Sequence, residues 1–262
     1  MRHGKKPGVY VGFVHPDQVD SGWMVCLLHL FLHDTFGAQH IVNQERGGFI
    51  NVGSGPRIAS ARNVVCSRFL DQNADWLLML DTDMVFSPDL LDRMLEVADP
   101  DEVPILGALC FAGGKGAQIH PTMYMFGKDD EGGLISMRCE SYPENELMQV
   151  NGTGGACLLV HRKVLAAMKE RYETTGAAFF AETYAMGQDF GEDITFCVRA
   201  QSLGFPIHVH TGIEVGHRKL HVLDSTVYER QRKDVAEMGA DAYLERYVRS
   251  MGLMEAEVRT SG

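Results

Sequence analysis

The chain has 262 residues, 45% hydrophobic and 23% charged, with a formal net charge of −11. This size and mix fit one domain with a sizeable core and at most a modest tail. The acidic balance excludes a general electrostatic pull towards nucleic acid or anionic membranes, and leaves only local basic patches open, at Arg57, Arg62 and Arg68 or at Arg218-Lys219. The longest apolar stretch, Trp23 to Leu32, falls well short of the roughly 20 residues a membrane span needs. No signal-peptide apolar region follows the basic start, Met1 to Pro7. The six cysteines show no CxxC spacing and mostly sit in apolar runs, so they read as reduced core residues of a cytoplasmic protein.

In chain order, Gly8–Val14 is apolar and β-branched and reads as a buried strand. Ser21–Thr35 reads as a helix and Gln39–Gln44 as a second strand, with a Gly-rich loop over 45–56. Ile58–Asn73 has apolar residues at helical spacing, and Trp76–Leu80 is a short continuous apolar run that fits a fully buried central strand. Ser87 suits a helix cap with Pro88 at the first helical position, and that helix is expected to bury Leu91, Met94, Leu95 and Ala98. Strand–helix alternation up to this point argues for an α/β fold with a mostly parallel central sheet. Beyond about 105 the pattern changes. Short strands are expected at 105–111, 121–126, 134–138, 147–150 and 156–160, helices at 162–172 and 192–203, and a charged helical tail over 224–250. A boundary near 103 or 150 would divide two halves of one compact fold.

Several short segments carry candidate chemistry. Asp81-Thr82-Asp83 follows the apolar run at the position where open α/β sheets bind ligands. Hard cations such as Mg²⁺ or Mn²⁺ take oxygen ligands and bridge carboxylates to diphosphates. Asp83 is therefore the candidate metal ligand, with Asp81 meeting a ribose or reaching the metal through water; the same pair could also simply close a turn. Glu192 and Asp193 open a helix, where acids are favoured by the helix dipole alone and where a carboxylate could also take a proton from a hydroxyl. His217 ends an expected strand and could complete a Mn²⁺ shell. His208, His210, His217 and His221 fit no closed structural zinc spacing. Gly154 and Gly155 precede another apolar run and would allow a close backbone approach. Arg62, in Ala61-Arg62-Asn63, could meet phosphate oxygens or be a plain surface arginine.

Taken in order, Ala61-Arg62-Asn63, Leu80-Asp81-Thr82-Asp83, Gly154-Gly155, Gly191-Glu192-Asp193 and Gly216-His217 resemble glycosyltransferases of the GT-A fold, near the large inverting family that includes many bacterial and phage sugar transferases. The resemblance spans roughly residues 8 to 220. It implies a GT-A domain over 1–220, with a Rossmann-like nucleotide-binding half at about 8–103, an acceptor half at about 104–220 and a helical extension over 221–262. It implies a nucleotide-sugar donor, UDP-linked as the commonest choice, lying against Val11, Gly12 and His15 and contacted by Arg62, Asp81, Thr82, Gly154 and Gly155. Asp83, His217 and Asp81 would hold Mn²⁺ or Mg²⁺. Asp193, or Glu192, would be the catalytic carboxylate: a general base if the enzyme inverts, which is the reading taken, or an orienting group for sugar hydroxyls if it retains. The acceptor is open among protein, soluble glycan and a modified nucleobase. The tail could cover the acceptor or form a homodimer contact. The competing readings are a non-catalytic nucleotide-sugar-binding module and a sugar-phosphate nucleotidyltransferase; the second would need a glycine- and lysine-rich loop where His15-Pro16-Asp17-Gln18 stands.

Overall fold

The computed structural model describes residues 6–43, 46–55, 57–113, 119–128, 134–185, 188–219 and 225–243. The first half alternates strand and helix: β1 (Val9–His15), α1 (Ser21–Phe36), β2 (Gly48–Gly53), α2 (Ile58–Leu70), β3 (Trp76–Leu80), a short β4 (Met84–Val85), α3 (Leu90–Val97) and β5 (Ile105–Ala112). The second half starts with short strands: β6 (His120–Pro121), β7 (Met123–Lys128), β8 (Leu134–Arg138), β9 (Leu147–Val150), β10 (Gly152–Thr153) and β11 (Cys157–His161). It continues through α4 (Arg162–Tyr172), the hairpin β12 (Thr183–Ala185) and β13 (Gln188–Phe190), α5 (Glu192–Ser202), β14 (Ile207–His217) and α6 (Ser225–Met238).

The central sheet runs β2-β1-β3-β11-β5-β14, with β4 beyond β14, β6 beside β5 and β9 beside β14. Five of its six main strands point the same way; β11 runs antiparallel between β3 and β5. The sheet is therefore mostly parallel, as the strand–helix pattern implies. Alternate residues of each strand feed opposite faces. Leu77 and Met79 join α2, α4 and α5 in one apolar cluster. Trp76, Leu78 and Leu80 join α1 and α3 in the other. This is a three-layer α/β/α arrangement, and burial on both faces explains why β3 reads as an unbroken apolar run. Among the described residues, no helix is long and apolar enough to cross a membrane.

Three sequence expectations are corrected. The predicted strand at 39–44 is absent over 39–43; Gln44 lies outside the described residues. The reason is Asp34, only 2% exposed, whose carboxylate accepts from the backbone N–H groups of His40, Ile41 and Val42. Those donors are no longer available to a neighbouring strand. The second strand instead lies at Gly48–Gly53, inside the stretch expected to be a loop, and pairs with β1 in parallel register. Helix α3 also starts later than expected: Asp89, not Ser87, is its N-cap residue, and the Ser87 hydroxyl donates to the Asp89 carboxylate. Within the expected tail helix, residue 224 and residues 244–250 lie outside the described residues, as does His221.

Candidate functional site

The acidic segments meet at the carboxyl ends of the parallel strands. Leu80 ends β3 opposite Cys157, the first residue of β11, and the Asp81 N–H donates to the Ala156 carbonyl at 2.8 Å. The chain then turns through a half-buried Thr82 into β4, which pairs Met84 with His217 and Val85 with Gly216 at the end of β14. That pairing brings Asp83 beside His217, and the Arg218 N–H donates to the Asp83 carbonyl at 2.8 Å. Residues more than a hundred positions apart are thus joined by sheet register and not by local sequence.

Arg62, on α2, is the hub of the site. Its side chain is 4% exposed. One terminal nitrogen donates to both Asp81 oxygens at 2.7 and 2.9 Å, and the other donates to Glu192 at 2.7 Å. Its guanidinium lies 5.7 Å from the Phe180 ring centroid, and Phe180 stacks on Phe196 of α5 at 4.7 Å. Burial works against the charge, but the two carboxylates outweigh it and hold Arg62 firmly protonated. Both halves of the guanidinium fork are engaged, so Arg62 ties the β3 end to the start of α5. The missing Cβ of Gly155 explains its residue type: a Cβ there would lie 2.8 Å from a terminal nitrogen of Arg62. At Gly154 a Cβ would lie 3.2 Å from Thr122. The close backbone approach made by this glycine pair is thus to Arg62 and Thr122.

Asp83 faces the other way. Its Oδ2 lies 2.9 Å from Nε2 of His217 and 3.3 Å from Nζ of Lys219. Burial opposes its ionisation, but the hydrogen bond and charge of His217, then Lys219, prevail and hold its carboxyl below the ordinary range. His217 is pushed up, chiefly by its hydrogen bond to Asp83. Nδ1 of His217 lies 3.0 Å from the Phe111 carbonyl, which can only accept. The Asp83 carboxylate can also only accept, so the two contacts are made together by the doubly protonated ring, in line with its raised pKa; an ion held at Nε2 would take the place of that proton and leave Nδ1–H on the carbonyl. This backbone-carbonyl support is the usual outer partner of a metal-binding imidazole. An oxygen and a nitrogen ligand side by side fit a Mn²⁺-type ion that takes its other ligands from diphosphate and water. Among the described residues, no group of three or more His, Cys, Asp or Glu side chains forms a complete cage. Asp81, the third expected ligand, has both oxygens on Arg62.

The remaining candidates separate. Asp193 shares the first turn of α5 with Glu192, and its Oδ1 accepts from the Ile194 N–H at 2.8 Å. Burial first, then the neighbouring Glu192, pushes its pKa up. His15 ends β1 on the same side of the sheet, with Nδ1 2.8 Å from the Pro16 carbonyl. Val11 is fully buried, and a Cβ on Gly12 would lie 2.5 Å from Val65 of α2. Their side-chain positions serve helix-on-sheet packing. His208 and His210 lie at the opposite end of β14 from His217. Of the basic-patch candidates, Arg62 is buried and Arg68 donates to the Asn51 carbonyl at 3.3 Å. A cavity of about 470 Å³ lined by Arg46, Asp75, Trp76 and His161 sits at the amino ends of β1 and β3, away from the acidic cluster.

Sequence reasoning missed several supports. Asn63 donates to the Phe180 carbonyl at 2.6 Å and accepts from the Phe179 N–H at 2.9 Å, which pins the segment beneath Arg62. Asp20 caps α1 and pairs with Arg218 at 3.0 Å. The Phe111 carbonyl leaves no mark in the sequence. Asn63 could have been suspected, because it stands next to Arg62 in a helix interior, where asparagine needs a reason.

No family model matches the chain, and no curated protein matches it by sequence. Among solved structures, the chain is similar to A197 from STIV, with 14% identity over 83% of this chain and 97% of that one and a TM-score of 0.47. It is also similar to a glycosyltransferase involved in the glycosylation of the major capsid of PBCV-1, with 13% identity over 64% and 66% of the two chains and a TM-score of 0.35. A third similarity is to GalNAc-T7 with UDP, GalNAc and Mn²⁺, at 12% identity and a TM-score of 0.51. That match covers 93% of this chain and 48% of the other, so the chain spans about half its length. With its mostly parallel sheet covered by helices on both faces, the chain has a GT-A-like fold.

Proposed function

We propose that the chain is a divalent-metal-dependent glycosyltransferase that moves a sugar from a nucleotide-diphosphate donor, UDP-linked, to a hydroxyl acceptor. The observation that carries this reading is the convergence at one sheet end. Asp83 and His217 form a two-ligand pair, while Arg62 joins Asp81 to Glu192 beside it. A similar fold that holds UDP and Mn²⁺ in GalNAc-T7 supports the choice of donor and metal. Six free cysteines, five of them buried, fit a reducing compartment such as the cytoplasm.

In this reading Asp83 and His217 would hold Mn²⁺ or Mg²⁺, which when bound supplies Lewis-acid stabilisation of the charge on the departing diphosphate. Lys219, 3.3 Å from Asp83, adds positive charge on the same side. Arg62 holds the Asp81 carboxylate in place, oriented towards the donor ribose. Asp193 is the general base: it takes the proton of the acceptor hydroxyl as that oxygen bonds to the anomeric carbon and the bond to diphosphate breaks. Its raised pKa is the direction a base working near neutral pH needs. It is also the acid at this helix end that Arg62 leaves free of a direct bond. These two features favour inversion, and NMR of the product anomer showing retention would reassign Asp193 to orienting the donor sugar.

The decisive test is thermal unfolding with nucleoside diphosphates, with and without Mn²⁺. A ligand at about 100 times its Kd stabilises the native state by about 2.7 kcal/mol. UDP is expected to raise Tm only with Mn²⁺ present, and Asp83→Ala is expected to lose the response while keeping its own Tm. No response to any nucleotide with any metal would overturn the reading.

A further inference from the structure

Helix α1 covers one face of the sheet near its β2 edge, and its outer surface is unusual for an acidic protein. Met24, Leu28, Leu32 and Phe36 recur every fourth residue and are 41%, 52%, 47% and 86% exposed; Val25, beside them, is 45% exposed. The helix contains no Lys, Arg or Glu, and its one aspartate, Asp34, is buried. The other exposed side chains on this face include His29 and His33, and His33 pairs with Asp92 of α3 at 3.0 Å. That pair marks one border of the patch. On the opposite border Phe31 meets Phe49 of β2 at 5.6 Å, and Phe49 and Val42 are 41% and 39% exposed. Seven large apolar side chains thus form one uncharged surface, while the whole chain carries −11.

We propose that this face is a two-fold interface between two copies of the chain, with α1 packed on α1 of the partner and the Phe49 edge as its flank. Three arguments select a second copy. A ridge of side chains at every fourth position fits the grooves of an identical helix crossed at about −50°, and a two-fold contact needs a self-complementary patch. Two copies that each carry −11 meet with least repulsion through a face whose helix has no exposed acidic side chain. The area is also adequate: seven partly exposed apolar side chains amount to several hundred Å², within range of the roughly 800 Å² per partner of a standard interface. A lipid surface is the weaker fit, because interfacial helices carry Lys or Arg along their polar border and this one has none. The proposal is independent of the catalytic reading.

The test is sedimentation equilibrium of the full chain at several concentrations, for wild type, Leu28→Glu with Leu32→Glu, and Phe36→Glu alone. The wild type is expected at twice the chain mass, and both variants at the chain mass with unchanged far-UV circular dichroism. Should the double variant unfold, the single change at the 86% exposed Phe36 still decides. A wild type that stays monomeric at tens of micromolar, or variants that still dimerise, would overturn the proposal. So would a monomer that floats with phosphatidylcholine–phosphatidylglycerol vesicles, which would assign the face to lipid.

Discussion

Arg62 is held by two carboxylates that come from opposite halves of the chain. Replacing it with alanine leaves Asp81 and Glu192 facing each other across a buried gap. Removing one partner of such a set costs about 3–5 kcal/mol, so Arg62→Ala is expected to lower the urea midpoint sharply. Arg62→Lys should recover only part, because a single ammonium cannot span both acids. His217→Ala should leave stability nearly unchanged but weaken the Mn²⁺-dependent UDP response, as measured by titration of the metal. Asp193→Asn should lower kcat by about 10²–10⁴. The pH profile carries its own sign. In the proposed reaction the carboxylate form of Asp193 is the base, and burial and Glu192 raise its pKa. Wild-type turnover should therefore fall with decreasing pH at a point above the ordinary aspartate range, and Asp193→Asn should lose that acid limb. At this scale the sequence singles out residues that the fold brings together, Arg62 with Asp81 and Glu192 and Asp83 with His217, and says less about what each one touches. Asp83 and His217 could be paired only through their resemblance to a family, and are joined through β4 pairing with β14. Arg62 could have been a phosphate ligand by composition; only its burial between two acids shows where its donors go.

Elements were legible where an apolar pattern was uninterrupted. β3, α2, α4 and α5 follow their periodicity, since both faces of the sheet are covered and each helix has one apolar stripe. The failures lie where side chains compete for the backbone. Val42 and Ile41 have the composition of a strand, but Asp34 captures their N–H groups. Asp34→Ala should leave those donors unpaired at a cost of about 1–3 kcal/mol or more, read as a lower unfolding midpoint and faster amide exchange at His40–Val42. β2 was hidden because its flanking glycines look like a loop, and its pairing with β1 is a long-range contact. Gly12 shows the reverse case. Gly12 is expected near the donor only through the family resemblance, and the space a Cβ would take there is filled by Val65 and Leu77. Gly12→Ala should cost about 1–3 kcal/mol through overpacking, with no need for a ligand to show it.

For the whole molecule, the fold class was readable from strand–helix alternation, and the GT-A-like likeness agrees with it. The order of strands was not readable. Nothing local announces that β11, in the second half, will insert between β3 and β5 of the first. The expected boundary near 103 or 150 is one between two halves of a single compact fold; the sheet sets β2-β1-β3 beside β11-β5-β14, with the short β4 crossing to the far side of β14.

That inserted strand also bears on how the chain is made. During synthesis β3 emerges with one edge against β1 and the other open, and β5 gains no neighbour on that side until residues 157–161 have left the ribosome. Until then the nascent chain carries an unprotected edge of Leu77, Leu78, Met79 and Leu80, a segment with the composition of an aggregation site. Non-local pairing of this kind slows folding and lengthens that exposure. A chain stopped at residue 103 is therefore expected to be captured by chaperones or precipitate, while one released after residue 161 can cover the β3 edge, although the far edge of β5 still waits for β14.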